Sequence, residues 1–115
     1  MTPDISMRRE EDVVIVTPVG ELDAITSPPL ADVLDEVLFP DPPRGVVVDL
    51  AKVAFCDSRC IGVLVSAYRR ARDIGVGLVV AEPQQQVNRL FVIAGIDQVM
   101  PITASVGSAV GSLTE

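Results

Sequence analysis

The sequence predicts an α/β domain built on a mixed β-sheet. Short β-branched runs alternate with amphipathic stretches after an opening pair of strands, so helices must cross between strands. Hydrophobic residues make up 49% of the 115 residues, enough for one compact core. Only 3% of residues are aromatic and there is no Trp, so that core is aliphatic. The length suits one domain over residues 1–115. The element order reads ββαβαβαβα, with right-handed crossovers expected between parallel strands.

Residues 4–9 read as a first, partly polar strand. Asp12 to Val19 is β-branched and reads as the second. Pro18 has no N–H for a ladder, so it belongs at the strand's end or on an unpaired side. Gly20-Glu21-Leu22-Asp23 is then expected to leave the sheet. Ser27 before Pro28 marks a helix start, with Ser27 as N-cap and Pro28 at the first helical position. Leu30, Val33, Leu34, Val37 and Leu38 follow at helical spacing, opposite Asp32, Asp35 and Glu36. Phe39 to Pro43 is a Pro-rich loop.

Gly45 to Leu50 is the short apolar run of a buried central strand. Val53 to Cys56 continues toward a turn. A second helix is expected from Arg59 to Ile74. Its inner face is Ile61, Leu64, Val65 and Tyr68; Arg59, Ser66, Arg70 and Asp73 lie opposite. Gly75 stops it, because glycine tolerates positive φ. Val76 to Ala81 is another apolar strand. Pro83 opens a third helix in which Val87, Leu90, Phe91 and Ala94 recur at i, i+3, i+4, i+7, and Gly95 ends it. Val99 to Ile102 is a short last strand. Ser105 caps a final helix carrying Val106, Ala109, Val110 and Leu113.

The formal net charge is −7, which repels nucleic-acid phosphates and anionic membrane surfaces and favours a basic protein partner. The N-terminus is polar, with no secretory signal. No apolar run approaches the roughly 20 residues a bilayer span needs. A soluble, cytoplasmic protein is expected.

Function concentrates at Asp57-Ser58, where a buried strand hands over to a helix. Ser58 should stand at the helix N-terminus, its hydroxyl near free backbone N–H groups. Asp57 or Ser58 can be simply a cap, which spacing alone favours. Ser58 can instead accept a phosphate, adding about −1.5 to −2 charge at a helix end that tolerates it. A third reading, an enzymatic nucleophile, needs a base. The chain has no His, and its one Lys, Lys52, is in no Ser-x-x-Lys pattern. No enzyme and no cofactor are expected.

Four pieces in register resemble the STAS domain family of bacterial anti-sigma factor antagonists. They are Val19-Gly-Glu-Leu-Asp23; Val47-Val-Asp-Leu50 with Phe55-x-Asp57-Ser58-x-x-Ile61-Gly62; Pro83-x-x-x-Val87-x-Arg89-Leu-Phe91 with Gly95-Ile96; and Pro101-Ile102 followed by Ser105. The resemblance spans roughly residues 5–113. It implies a STAS-type single domain with a mixed sheet of about five strands and about four helices packed mainly on one face.

It further implies that Ser58 is the phosphorylated residue. The unphosphorylated form would bind an anti-sigma factor that is also a serine kinase, freeing a sigma factor for transcription. Phosphorylation would release it, and a phosphatase would restore it. Asp23, Asp57, Ser58, Arg59 and Gly62 are the implied partner-binding residues. The family's usual Asp-Ser-Ser/Thr-Gly-Leu-Gly reads Asp57-Ser58-Arg59-Cys60-Ile61-Gly62 here. A permissive glycine is lost, and a cation stands beside Ser58.

Cys56 and Cys60 flank the Asp-Ser pair. The favoured reading is two reduced thiols packed as small hydrophobes. The sharper one is redox control of the corner, with Cys60 activated by the helix N-terminus. That belongs to an alternative function: a STAS scaffold or sensor, never phosphorylated, regulated by ligand or by Cys56/Cys60 redox state. Two Cys without His supply too few soft ligands for a metal.

Overall fold

The computed structural model describes residues 4–114. Strands β1 (Asp4–Glu10) and β2 (Val13–Leu22) form an antiparallel hairpin. Its two-residue turn, Glu11-Asp12, has positive φ at both positions, the geometry that matches strand twist. Arg9 Nη1 donates to Asp12 Oδ1 at 2.8 Å across it. The remaining strands are β3 (Gly45–Asp49), β4 (Val53–Cys56), β5 (Gly77–Ala81) and β6 (Ile102–Thr103). The order is β1-β2-β3-β5-β6, with β4 also paired to β2. All pairings except β1–β2 are parallel.

The long strand β2 changes partner along its length. Val13 to Val16 pairs with β3, and Gly20 to Leu22 pairs with β4 after a register shift at Gly20/Glu21. Gly20 takes φ +104°, which only glycine adopts freely. Gly20-Glu21-Leu22 therefore stays in the sheet instead of leaving it. Val53–Cys56 is a strand rather than an approach to a turn, which gives six strands instead of about five. Pro18 stands opposite Ile5 of β1, between the two stretches of β2 that pair with β3 and β4. It sits where β2 lacks a partner on that side.

The helices are α1 (Ser27–Leu38), α2 (Ser58–Asp73), α3 (Gln85–Ile93) and α4 (Val106–Thr114). Two starts differ from expectation. Thr26, not Ser27, is the α1 cap residue; Ser27 is the first helical residue, and its hydroxyl is buried without a partner. α3 begins after Gln84, not at Pro83. A 3-10 turn, Ile96–Gln98, fills part of the segment expected to lead into the last strand, which shortens to Ile102–Thr103.

Alternation along the strands splits the interior in two. Val14, Val16, Val46, Val48, Leu78 and Val80 face α1, α2 and α3, burying Leu30, Leu34, Leu38, Leu64, Val87 and Phe91. Val13, Ile15, Val47, Val79 and Ala81 face α4 alone, against Val106, Ala109 and Val110. Helices thus lie mainly on one face. The buried ridge of α2 is Cys60, Leu64, Ala67 and Ala71, one step round from the expected face; Ile61, Val65 and Tyr68 are only partly buried. In α3 only Val87 and Phe91 are buried, while Leu90 and Ala94 face outward. An ion pair between Asp35 and Arg70 ties α1 to α2.

Candidate docking site

The site is the corner where β4 ends and α2 begins. Asp57 is the α2 N-cap: its backbone is extended, and its Oδ1 accepts from the Cys60 N–H at 3.0 Å. This satisfies one of the four N–H groups a helix start leaves open. The Asp57 N–H donates to the Leu22 carbonyl at 3.1 Å, so the end of β2 and the start of α2 are joined. Cap duty therefore falls on Asp57. Ser58, the first helical residue, is exposed, and its hydroxyl makes no hydrogen bond among the described residues.

The adjoining loop is built around Asp23. Its Oδ1 accepts from the backbone N–H of Ile25 at 2.9 Å and of Thr26 at 3.0 Å. The Thr26 hydroxyl accepts from the Asp23 N–H at 2.9 Å and donates to the Glu21 carbonyl at 2.7 Å. These donors, the Thr26 N–H foremost and the Ile25 N–H next, hold the Asp23 carboxyl below the ordinary carboxylate range. Asp23 thus shapes its own loop and pushes Ile25, 76% exposed, outward.

Beside Ser58 lies an open groove of about 350 Å³, lined by Phe55, Cys56, Ile61, Leu90, Ile93 and Ala94 with Asp57 and Ser58 at its rim. Its walls come from β4, α2 and α3. Phe55 is 44% exposed, Leu90 40% and Ile93 76%. Exposed apolar side chains gathered on one surface mark an interaction site. Sequence reasoning placed Phe55, Cys56, Asp57, Ser58 and Ile61 in the stretch that forms this corner, but missed Leu90 and Ile93 as groove residues. Helical spacing put Leu90 and Ala94 in the core; only the crossing of α3 over β4 turns them out. Two glutamines hold that crossing. Gln84 Nε2 donates to the Ala51 carbonyl at 3.0 Å and Gln86 Nε2 to the Ala54 carbonyl at 3.1 Å.

Arg59 is exposed next to Ser58, and Gly62 is exposed one turn on, with nothing within 4 Å of where a Cβ would stand. The cysteines differ from expectation. Instead of two free thiols, Cys56 and Cys60 are joined in a disulfide, their Cα atoms 5.5 Å apart, within the normal span. Both are fully buried in the larger core. Cys60 is accordingly no free, activated thiol.

Among the described residues no cluster of three or more His, Cys, Asp or Glu could hold a metal, and no helix is long and apolar enough to cross a membrane.

A family model of the STAS domain matches residues 4–109. The chain is 30% identical over 115 residues to the anti-sigma F factor antagonist of Paenibacillus polymyxa, covering all of this chain and 96% of that one. Its fold matches an anti-sigma factor antagonist of Mycobacterium paratuberculosis with a TM-score of 0.84 at 24% identity, over 98% of this chain and 95% of that one. It also matches the Bacillus cell fate determinant SpoIIAA, solved in its phosphorylated form, with a TM-score of 0.73 at 15% identity over 96% and 99% of the two chains. With the six-stranded mixed sheet, the helix start at Asp57-Ser58 and a family match over nearly its whole length, the chain belongs to the STAS domain family.

Proposed function

We propose that this protein is an anti-sigma factor antagonist that works by docking and carries out no chemistry of its own. Unphosphorylated, it binds an anti-sigma factor that is also a serine kinase and so frees a sigma factor for transcription in the cytoplasm. Phosphorylation of Ser58 releases it, and a phosphatase resets it. The observation that carries this reading is the exposed, unengaged Ser58 hydroxyl at the rim of an apolar groove. The name of the Paenibacillus relative supports the partner class, and the phosphorylated Bacillus structure of the same fold supports the modification.

The switch follows from charge and solvation. A phosphate on Ser58 adds about −1.5 to −2 charge, and the free N–H groups of the α2 start favour it in the isolated protein. Arg59 adds a neighbouring cation. A partner seated in the groove would instead dehydrate that charge against Phe55, Ile61, Leu90 and Ile93, at a cost of several kcal/mol unless it is paired. Asp23 and Asp57 contribute by shape, since each is spent on its own loop. Arg59 and Gly62 complete the footprint along α2. The kinase brings its own ATP and magnesium, so this chain needs no base.

The test is incubation with each anti-sigma factor kinase encoded in the same genome and Mg-ATP, read by intact mass. One phosphate should appear on the wild type and none on Ser58→Ala. Ser58→Asp should weaken binding to that kinase by about tenfold or more, as expected for a like or dehydrated charge at an interface centre. Full affinity in Ser58→Asp, or phosphate gain in Ser58→Ala, defeats the proposal.

A further inference from the structure

The disulfide encloses the phosphoacceptor. Cys56 ends β4 and Cys60 lies in the first turn of α2, so the bond closes a ring over Asp57, Ser58 and Arg59. The ring contains the α2 cap, because Asp57 Oδ1 accepts from the Cys60 N–H inside it. Ser58 and Arg59 themselves are exposed, so outside the ring this turn is held by the Asp57 N–H to Leu22 carbonyl bond and by the burial of Cys60. Cys56 lies beneath the groove and is fully buried, so a small thiol reagent reaches the sulfurs when the first turn of α2 opens. The open state is also accommodated. Both cysteines are fully buried in the larger core, where a thiol packs as a small hydrophobe. Cys56 Sγ lies 3.9 Å from the Asp57 carbonyl oxygen, an acceptor for the released S–H.

We propose that Cys56 and Cys60 form a reversible dithiol–disulfide couple that sets the rigidity of the corner carrying Ser58. A small-molecule disulfide such as oxidised glutathione closes it. One cysteine thiolate attacks a glutathione sulfur, forming a protein–glutathione bond and expelling one glutathione thiolate. The second cysteine thiolate then attacks the protein sulfur of that mixed disulfide, forming the Cys56–Cys60 bond and expelling the second. Two electrons pass from the protein sulfurs to glutathione, and the two cysteine protons end on the two released glutathione thiols. An excess of reduced glutathione runs the exchange backwards.

The closed ring holds Ser58 in helical geometry. The open form loosens the first turn of α2, which then rests on the Asp57 cap, the Asp57–Leu22 backbone bond and the packing of the two thiols without the covalent link. Phosphoryl transfer needs the hydroxyl in line with the γ-phosphate at near-attack distance, so a turn that can move into a kinase cleft is the better acceptor. Oxidation therefore slows phosphorylation and prolongs the docking-competent state. This last step rests on the proposed function; the couple itself does not.

The full chain is equilibrated in glutathione buffers from fully oxidised to fully reduced, then alkylated and weighed. Amide hydrogen exchange is followed in both end states. The expected result is a smooth titration between bridged and doubly alkylated protein, with the Cys60 and Ile61 amides exchanging about tenfold faster or more when reduced. Protein that stays bridged in excess reduced glutathione, that never bridges, or that exchanges alike in both states overturns the proposal.

Phosphorylation rates are then compared at the two ends, with Cys56→Ala/Cys60→Ala as the variant that should ignore oxidant and match the reduced rate. Equal rates for bridged and reduced wild type overturn the link to Ser58. Phosphorylation of neither form counts against the proposed function alone, because exchange and alkylation still decide the couple.

Discussion

Helix α3 offers a sharp separation of docking from folding within three residues. Phe91 is fully buried in the larger core, whereas Ile93 is 76% exposed at the groove. Full burial of an Ile side chain is worth about 1.5–3 kcal/mol. About three quarters of that remains available to a partner, and alanine keeps one of the four side-chain carbons. Ile93→Ala should therefore weaken partner binding by about 1–1.5 kcal/mol, roughly five- to tenfold in Kd. It should leave stability within about 0.5 kcal/mol, as surface changes do. Phe91→Ala should instead cost about 3–5 kcal/mol of stability, a large share of the roughly 5–15 kcal/mol available to such a domain.

The assay pairs calorimetric titration against the anti-sigma factor with urea unfolding of each variant. An Ile93→Ala protein that binds within twofold of the wild type would remove the groove from the interface. One that lost several kcal/mol of stability would show that α3 is not oriented as described.

Three further expectations follow from the same geometry. Asp57→Ala removes the α2 cap and should cost about 1 kcal/mol, with faster hydrogen exchange at the Cys60 amide; unchanged urea midpoint and exchange would contradict the cap. Gly77→Ala would set a Cβ 2.5 Å from Leu113 Cδ2, an overpacking cost of at most about 1 kcal/mol because that methyl ends a flexible, half-buried side chain that can turn aside. Combined with Leu113→Ala that cost should largely vanish, so purely additive losses in the double-mutant cycle would refute the contact. The Asp23 carboxyl titrates below its ordinary 3.8 in the folded protein. Its ionised form therefore adds stability that is fully present above that value and is lost as pH falls through the folded-state value. The melting-temperature gap between wild type and Asp23→Ala should be flat at neutral pH and narrow only below about pH 4; a gap constant down to pH 2 would deny the Asp23 hydrogen bonds.

Much of this was legible in the chain because hydrophobic periodicity reports which faces are buried. Val46-Val47-Val48 and Leu78-Val79-Val80 read as buried strands, and they are, each serving both faces of the sheet. Elements whose identity depends on a distant partner were not legible. Val53–Cys56 is four residues long and becomes a strand only because β2 runs far enough to pair with it. Pro28 and Pro83 mark helix starts correctly in kind, but the backbone turns helical a residue earlier at Ser27 and two residues later at Gln85. The corner itself was legible, since an apolar strand followed by Asp-Ser and an amphipathic run can fold in few ways. The groove was not: Leu90 and Phe91 are both apolar and adjacent, and only tertiary packing decides which one is spent on the core. The disulfide escaped because the expected compartment argued for thiols, while the four-residue spacing is compatible with either state.

The split of the interior by the sheet has a consequence for how the molecule opens. The smaller cluster is roofed by nine residues of α4, eight of them Gly, Ala, Ser, Thr or Val, with Leu113 lying over Gly45 and Gly77. Lifting the whole helix would uncover Val13, Ile15, Val47, Val79 and Ala81, so α4 opens most cheaply by fraying at its last turn, where Leu113 is only half-buried. The Ser58 corner stands on the opposite side of the sheet. Fraying, nicking or tethering at α4 is thus insulated from docking by a full layer of strands, and this end of the chain is where the domain can be handled without its partner noticing.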